Sequence, residues 1–505
     1  MSVGRGALTV GGLTALSRLA GFARDLLIAA ALGAGPVADA FFVSLKLANF
    51  LRRLFAEGAF SAAFVPLFTR LRAGEGAAAA MRFAGEALSV LALALIAVVF
   101  LGELAMPWLV RVMAAGFDPG SLQFRLSVEL GRLTFPYLLF ISLAALFTGL
   151  LHAGSRFAAA AFAPILLNAI LIAALLVTGA EGQSAARVLA WSVALSGLAQ
   201  LVWVALAAAR AGLVPRPMMP RLSPAMRRLL ALIGPGVLGI GVVQINLLVS
   251  SWFATHLPAG TVAYLFYADR LVQLPLGIVG VALGTALLPA LSLAMRDGAA
   301  RDVLNRAVEL ALLLAFPAAV GLALLAQPII QILFERGAFT PAATLATGQV
   351  LGCLALGLPA QVLGKVLAPG FYAREDTRTP VRVAAVALLV NVGTAWLLAG
   401  QLGHVGIALA LSLSSWANAL GLAWLLWRRG VLVPDRVVAR RGLGTAGAVA
   451  AMAAVLLLTR TAADAGAAGL GMVIGAGAAA FLLTAWLAGA LDLASLRRFG
   501  AASRA

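Results

Sequence analysis

Charged residues are scarce in this 505-residue sequence, since only 11% of its residues are Asp, Glu, Lys or Arg and 63% are hydrophobic. With a mean hydropathy of +1.03, this composition excludes a soluble globular domain of such length. Apolar runs of about 20 residues recur from end to end, and each can cross about 30 Å of hydrocarbon. We therefore predict an all-α polytopic membrane protein without a separate soluble domain.

Cysteine and histidine are also scarce. The single cysteine, Cys353, excludes internal disulfides, and the three histidines (His152, His256 and His404) lie far apart without an HExxH spacing. We therefore predict neither a metal site nor a cofactor. No GxxxxGKS or GxxxxGKT motif occurs, which argues against a nucleotide-driven pump. The loops lack the acidic pair or His/Asp constellation of a lipid-phosphate transferase, so we predict that the protein is not an enzyme.

The apolar runs between Gly, Pro and charged clusters predict about fourteen transmembrane helices. These lie near residues 7–32, 40–68, 84–110, 130–152, 157–179, 187–209, 228–255, 262–294, 307–333, 343–368, 381–400, 405–427, 443–461 and 467–490. We predict an N-terminal lobe of six helices in residues 1–222 and a C-terminal lobe of six in 223–430. Residues 431–505 would add two helices and a cytoplasmic tail.

The formal net charge of +18 could suggest a nucleic-acid partner. With the N-terminus in the cytoplasm, however, the predicted inside segments carry about four times as many arginines as the outside segments. This bias predicts that both termini are cytoplasmic. Basic residues on that side face anionic lipid, so we predict a membrane topology signal and no nucleic-acid partner.

Two pairs of segments indicate an internal repeat. Residues 40–66 and 263–289 share their length, an aromatic start and a final proline, and residues 149–168 and 370–391 each combine a glycine, a basic loop and an asparagine-bearing helix. The offset is about six spans, an even number, so the halves share one orientation. We predict two parallel six-helix lobes around a central cavity, with the last two helices as a lipid-facing appendage.

When arginines within two residues of a span end are assigned to the loops, seven basic residues remain within the predicted helices: Arg18, Arg24, Lys46, Arg52, Arg53, Arg270 and Lys365. A basic side chain at mid-bilayer costs about 2.5–3.5 kcal/mol, so it usually faces water or a partner. The acidic residues within or directly beside these helices are fewer: Asp25, Asp39, Glu57 and Asp269. One interpretation is a set of neutralising pairs: Arg24–Asp25, Arg53–Glu57 and Arg270–Asp269. The surplus of basic residues favours the other interpretation, a cationic site for an anion.

Helical spacing brings some of these residues together. Four residues with 3–4–4 spacing share one helix face: Lys46, Asn49, Arg53 and Glu57. Arginine presents a planar fork of N–H donors that suits phosphate oxygens, and it stays protonated, so a diphosphate is the expected guest. Only two of the 37 basic residues are lysines, and both lie within spans. We hypothesise that these two positions require a compact ammonium group.

Five segments in order carry a family resemblance. They are SRLAGFARD (17–25), DAFFVSLKLANFLRRLFAEGAFSAAFVP (39–66), FYADRLVQLPLGIVGVALGTALLP (266–289), LFERGAFT (333–340) and KVLAPGFYAREDTRTPV (365–381). Together they resemble the MurJ/MviN lipid II flippases of the multidrug/oligosaccharidyl-lipid/polysaccharide exporter superfamily, over about the first 430 residues. The resemblance implies fourteen helices, two six-helix lobes, a central cationic cavity and a groove for a lipid tail on the last two helices.

The resemblance also implies roles for single residues. Carried over by motif, the diphosphate-binding residues are Arg18, Arg24, Arg52 and Arg270. Residues implied to shape or gate the cavity are Ser17, Asp25, Asp39, Lys46, Asn49, Arg53, Glu57, Asp269, Gln273 and Lys365. Many relatives have an acid at the position of Gln273. Some relatives hold sodium through carboxylates in the second lobe, but the predicted spans 228–255 and 381–400 contain no Asp or Glu, so we predict no such site.

By the same resemblance, the expected substrate is lipid II, the undecaprenyl-diphosphate-linked disaccharide pentapeptide used in peptidoglycan synthesis and cell wall biogenesis. We expect a monomer in the bacterial cytoplasmic (inner) membrane, among membrane lipids, that moves lipid II by alternating access with a bias from the membrane potential. The alternatives are a polysaccharide-lipid flippase and a cation-coupled multidrug antiporter. The antiporter should prefer an acidic cavity for organic cations, whereas the predicted cavity is basic.

Overall fold

The structure, a computed structural model, describes residues 3–53, 59–277, 287, 291–294, 300–433 and 435–491. These ranges are helical, with turns and short connections, and contain no β-strand. Ten helical segments within them are long and apolar enough to cross a membrane. The prediction of an all-α polytopic membrane protein is therefore confirmed, whereas the number of about fourteen helices stays a prediction.

Two compact units divide the chain. The first comprises residues 1–263 with 336–339, and the second comprises residues 264–335 with 340–505. The helix after residue 222 thus belongs to the first compact unit, although the repeat assigned it to the C-terminal lobe. The lobes at 1–222 and 223–430 and the segment 431–505 stay a prediction about the repeat.

The first unit contains ten helices in the described residues. They are α1 (Val3–Leu32), α2 (Pro36–Arg52), α3 (Ala59–Gly74), α4 (Ala77–Leu104), α5 (Met106–Met113), α6 (Leu122–Thr134), α7 (Tyr137–Ala153), α8 (Ala158–Thr178), α9 (Gly182–Arg210) and α10 (Pro224–Thr255). Helix α8 packs against α1 and α9, and α3 packs against α4, α7 and α10. Phenylalanine rings fill the contact between α3 and α4, with ring centroids 5.2 Å apart for Phe60 and Phe64 and 5.6 Å apart for Phe64 and Phe83.

The second unit has its own helical core. Its helices are α11 (Thr261–Pro275), which begins in the first unit, α12 (Ala300–Leu324), α13 (Ala326–Phe334), α14 (Pro341–Tyr372), α15 (Arg378–Leu402), α16 (His404–Arg428), α17 (Arg436–Thr459) and α18 (Ala467–Leu487). Helix α14 packs against α12 and α16, and α17 packs against α12 and α18. On these last two helices, Leu458 and Leu487 are 83% and 69% exposed, as expected of helices that face lipid.

Short polar side chains begin several helices. The Ser121 hydroxyl accepts a hydrogen bond from the Phe124 N–H at 3.1 Å, and the Asp435 carboxylate accepts one from the Val438 N–H at 2.7 Å. Each bond satisfies one of the N–H groups that the first turn of a helix leaves without a partner. These polar residues therefore set where the long apolar segments begin.

The order of the elements repeats along the chain, since α4, α5, α6–α7, α8 and α9 correspond to α12 to α16. Two residues other than glycine have positive φ in the described ranges, Ser155 at 57° and Glu375 at 59°. At both turns the next N–H bonds to the carbonyl five residues earlier, at 2.8 and 3.1 Å, which is a Schellman ending. Helices α9 and α16 end alike on Gly212 and Gly430, with φ of 71° and 68°. The described backbone therefore supports the internal repeat.

Several predicted spans differ from the observed helices. The predicted span 130–152 is two helices, because Pro136 has no N–H for the helical ladder between α6 and α7. The spans 84–110 and 307–333 each contain a break, at Ala105 and Leu325, where a short separate helix follows. The spans 40–68 and 262–294 include residues outside the described ranges.

Candidate functional site

Arg24 lies at the contact between α1 and α8. Its Nε and Nη2 donate to Asp25 Oδ1 at 2.9 and 2.6 Å, and its Nη1 donates to Asn168 Oδ1 on α8 at 2.9 Å. The Asn168 Nδ2 donates in turn to the main-chain carbonyl of Ser17 at 2.9 Å. These bonds join two helices and fix the direction of the guanidinium group.

The pair of Arg24 and Asp25 is largely buried, with side chains 12% and 3% exposed. The predicted neutralising pair is therefore present. An arginine side chain has five N–H donors, and the bonds to Asp25 and Asn168 use three of them. One N–H on each terminal nitrogen is left for a further acceptor, so the network orients Arg24 without using all of its donors.

Arg18 differs from Arg24 in its surroundings. Its side chain is exposed, and among the described residues it makes no side-chain hydrogen bond or ion pair. It precedes Arg24 by six residues, which is about 9 Å along a helix axis. Helix α1 therefore carries one oriented, paired arginine and one that is exposed.

The basic residues of α2 have polar partners in the first unit. Lys46 Nζ donates to the hydroxyl of Ser251 on α10, and Arg52 Nε donates to Asn49 Oδ1 at 3.1 Å. Arg53 is exposed at the end of the helix. Glu57 lies outside the described residues, and so does the predicted pair of Arg53 and Glu57.

Asp39 is buried, 1% exposed, and lies at the start of α11. Its Oδ2 accepts from the Gly260 N–H at 2.5 Å and its Oδ1 accepts from the Ala263 N–H at 2.9 Å. The first N–H groups of a helix have no partner within the helix and favour a negative charge. Asp39 therefore caps this helix terminus, and its role in shaping or gating a cavity stays a prediction.

Gln273 connects the polar residues of α11 in the second unit. Its Nε2 donates to Asp269, and its Oε1 accepts from Arg270 Nη1 at 3.4 Å. The guanidinium carbon of Arg270 also lies 4.5 Å from the centroid of the Phe266 ring, in a cation–π contact. The glutamine thus bridges Asp269 and Arg270. Lys365 is exposed on α14.

A second buried ion cluster was not among the predicted sites. Glu309 on α12 accepts from Arg306 Nη1 at 2.6 Å and from Arg441 Nη1 on α17 at 3.1 Å. The three side chains are 7%, 18% and 20% exposed. The cluster attaches the penultimate helix to the second unit.

Sequence reasoning also missed two polar partners, Asn168 and Ser251. Each is a single neutral group in an apolar helix, whereas the prediction followed charged residues only. The repeat offered a signal for the first, because Asn391 occupies the related helix and is fully buried. Across the described ranges, no three His, Cys, Asp or Glu side chains come together as a metal site would need.

Comparison with known proteins identifies the family. Residues 28–475 match the family model described as lipid II flippase MurJ. The chain belongs to the lipid II flippase MurJ family. A probable lipid II flippase MurJ from Rhizobium tropici is 43% identical over 521 residues, covering 99% of this chain and 96% of the relative. The probable MurJ from Rhizobium meliloti (strain 1021) is 46% identical over 436 residues, covering 85% and 81%.

Solved structures agree with membership of the MurJ family at the level of the fold. A lipid II flippase MurJ in an inward closed conformation matches with a TM-score of 0.83 and 24% identity, covering 95% of this chain and 98% of that one. An inward-facing multidrug resistance MATE family transporter of the MOP superfamily matches with a TM-score of 0.67 and 16% identity, covering 84% and 98%. The MurJ fold is thus shared with transporters of other substrates.

Proposed function

We propose that this MurJ family member flips lipid II from the cytoplasmic to the outer leaflet of the bacterial inner membrane. Family membership over residues 28–475 supports the substrate class. The observation that carries the site is Arg24, which is largely buried, oriented by two partners and left with two N–H donors. A diphosphate offers the oxygen acceptors that such a guanidinium fork binds.

The bonds to Asp25 and Asn168 explain how Arg24 can act on a substrate. A flexible arginine loses side-chain entropy when it binds a phosphate, by up to about 2 kcal/mol for full immobilisation. The network of Asp25 and Asn168 has already fixed the Arg24 side chain, so diphosphate binding costs less entropy. Asp25 and Asn168 would thus position the arginine rather than contact the lipid.

The other predicted arginines would complete the site. Arg18 is exposed on the same helix as Arg24, and its charge is not balanced by a described carboxylate. We propose that it attracts the diphosphate, with Arg52 and Arg270 binding it from α2 and α11. The remaining predicted residues would shape or gate a central cationic cavity, and Lys46 and Lys365 would need their compact ammonium groups there.

Alternating access is the proposed mechanism. The headgroup and diphosphate would enter the cavity from the cytoplasmic leaflet while the tail stays in lipid, against α17 and α18. Neutralising the arginines would remove the repulsion between them, so closure would depend on substrate. The membrane potential is the proposed bias, since it is worth about 2.3 kcal/mol per charge per 100 mV. No covalent bond of the lipid would change.

The proposal includes an orientation and an oligomeric state. Both termini would be cytoplasmic, because the arginine-rich connections would then face the cytoplasm. One chain would suffice for transport, since a cavity between two lobes of one chain needs no second copy. Cysteine labelling at the termini and cross-linking in membranes would check both statements.

Flipping of labelled lipid II in proteoliposomes tests the function. We expect Arg18→Ala, Arg24→Ala and Arg52→Ala to reduce flipping at least tenfold, and Arg24→Lys to rescue it only in part because lysine lacks the planar fork. Arg125→Ala is the matched control, since Arg125 is an exposed arginine outside the site. Wild-type flipping in the three alanine variants would contradict the assigned site.

Two further measurements separate the substrate and the driving force. Wild-type protein that moved an undecaprenyl-diphosphate polysaccharide, or an organic cation, in preference to lipid II would support one of the alternative exporters. An ionophore that collapses the membrane potential should slow flipping. Unchanged flipping would exclude the potential as the bias while leaving the substrate assignment intact.

A further inference from the structure

The connection between α9 and α10 lies against α4 in the first unit. We call residues 213–223 the strap. The Met218 N–H donates to the Ser89 hydroxyl at 3.0 Å, and the Ser223 hydroxyl donates to Glu86 Oε2 at 2.6 Å. A Cβ atom on Gly85 would collide with the main-chain carbonyl of Arg216. The strap therefore contacts α4 at three places, through Arg216, Met218 and Ser223.

A groove opens where the strap meets the apolar part of α4. It has a volume of about 290 Å³ and is lined by residues 90–97 of α4 and residues 220–222 of the strap. On α4 the lining residues are Val90, Leu93, Ala94 and Ala97, which share one helix face. Arg221 is the charged residue of the lining. The groove thus combines an apolar floor with one guanidinium group.

The exposed residues around the groove indicate a lipid environment. Only 17% of the most apolar part of α4 is buried in the protein, so most of that surface faces acyl chains. On the strap, Met219 and Leu222 are 77% and 56% exposed, and Arg216 and Arg221 are also exposed. Alternation of large apolar and basic side chains is typical of a segment at the membrane interface.

The charged side chains of the strap and of the first turns of α10 are all positive. Two arginines lie in the strap, Arg216 and Arg221, and two lie in the first turns of α10, Arg227 and Arg228. Within the described residues none of them forms an ion pair, and Glu86, the carboxylate that contacts the strap, accepts the Ser223 hydroxyl. Basic side chains of this kind attract anionic lipid headgroups at the cytoplasmic surface.

We infer that the groove between α4 and the strap binds one anionic phospholipid, with an acyl chain along residues 90–97 and the phosphate at Arg221. The apolar floor suits the chain and the guanidinium suits the phosphate. This site uses none of the arginines proposed to bind lipid II. It would hold the strap, and with it the start of α10, at the membrane surface.

Native mass spectrometry of the purified full-length protein tests this inference. The probes are phosphatidylglycerol and phosphatidylcholine with identical acyl chains. We expect the wild type to bind phosphatidylglycerol more tightly. We expect Arg221→Gln to weaken that binding about fivefold, because one arginine near the surface contributes about 1 kcal/mol. Ala94→Trp should displace both lipids from the groove, because the indole would fill it.

Two control variants make the test specific. Arg125→Gln removes an exposed arginine elsewhere, and Ala173→Trp adds an indole to the exposed face of α8, so both should bind like the wild type. Melting temperatures would show that each variant is folded. Equal binding of the two phospholipids, unchanged binding in Arg221→Gln and Ala94→Trp, or an isoprenoid lipid retained in the groove would each overturn the inference.

Discussion

Helices α4 and α12 correspond in the order of elements, and each carries a glutamate that bonds to a later segment of its unit through different partners. Glu86 and Glu309 are each the tenth described residue of their helix. Glu86 accepts a hydroxyl bond from Ser223 at 2.6 Å, whereas Glu309 accepts bonds from two arginines, Arg306 and Arg441. Glu86 thus bonds to the segment that follows α9, and Glu309 bonds to the segment that follows α16. Of the two, only Glu309 does so within a buried ion cluster.

The turns before α8 and α15 differ in the same way. Both have a left-handed residue at the same position of the turn, Ser155 or Glu375, and both have the same Schellman bonds. In the second unit Asp376 also accepts from Arg429 Nη1 at 2.8 Å and from the Thr379 hydroxyl at 2.7 Å, whereas Arg156 occupies the corresponding place in the first. The two turns thus share a backbone conformation, and among the described residues only the second turn carries an ion pair.

The largest expected effect is on the Glu309 cluster. Glu309→Gln would leave two partly buried arginines without a carboxylate, and breaking a buried pair in this way costs about 3 kcal/mol or more. Glu86→Gln should cost less than about 1 kcal/mol, because the amide oxygen still accepts from Ser223. Melting temperatures of both variants in one detergent would compare them. Equal losses would show that the two glutamates are equivalent after all.

The next largest expected loss of stability comes from disrupting the contact between the strap and α4 at Gly85. Gly85→Val would force the Arg216 carbonyl away from α4, and overpacking of this kind costs about 1–3 kcal/mol. The corresponding residue of the second unit is already a valine, Val308. The reverse change, Val308→Gly, should cost about 1 kcal/mol, because it lowers helix propensity and removes a half-buried side chain. A fully stable Gly85→Val protein would mean that the strap is not fixed on α4.

Variants of the two buried asparagines, Asn168 and Asn391, would distinguish an effect on lipid II transport from an effect on stability. Asn168→Ala removes a partner of Arg24 and should reduce lipid II flipping several-fold, with a loss of stability near 1 kcal/mol. Asn391→Ala in α15 should destabilise the protein by a similar amount and leave the lipid II affinity unchanged. Lipid II flipping, lipid II binding and melting temperature are measured on the same preparations of both variants. A loss of affinity in Asn391→Ala alone would contradict the role assigned to Asn168.

The smallest effect is a pH dependence of the second turn. Hydrogen bonds from Thr379 lower the pKa of Asp376 below its ordinary value, and the bond from Arg429 lowers it further. A carboxyl group with a lowered folded pKa stabilises the protein above its unfolded pKa of about 3.9 and loses that contribution below it. Asp376→Asn should therefore flatten the decline of melting temperature below about pH 4. An identical decline in the variant would exclude this contribution.

Much of the fold follows from the apolar runs, because each long hydrophobic segment of this chain had to be a helix in a bilayer. The breaks at Ala105 and Leu325 carry no such signal, since the hydropathy continues across them. Pro136 was a signal that the predicted span 130–152 passed over. The turn at Ser155 was also hidden, because a non-glycine residue in the left-handed region is uncommon.

The candidate site was predictable in its charges and not in its partners. Arg24 and Asp25 are neighbours in sequence, so their pairing could be proposed directly. Asn168 is 144 residues from Arg24, and Asp39 is more than 200 residues from the helix terminus that it caps. Such contacts depend on how helices pack, which hydropathy and spacing within one helix do not specify.

The left-handed turns at Ser155 and Glu375 have a practical consequence. A residue with a side chain is strained there by about 1–2 kcal/mol, and glycine is not. Both positions are exposed, and neither is among the residues proposed to bind lipid II. Replacing each residue by glycine should therefore give a more stable protein for structure determination with a bound lipid substrate. Because the two turns have the same conformation, the effect of one substitution can be checked against the effect of the other.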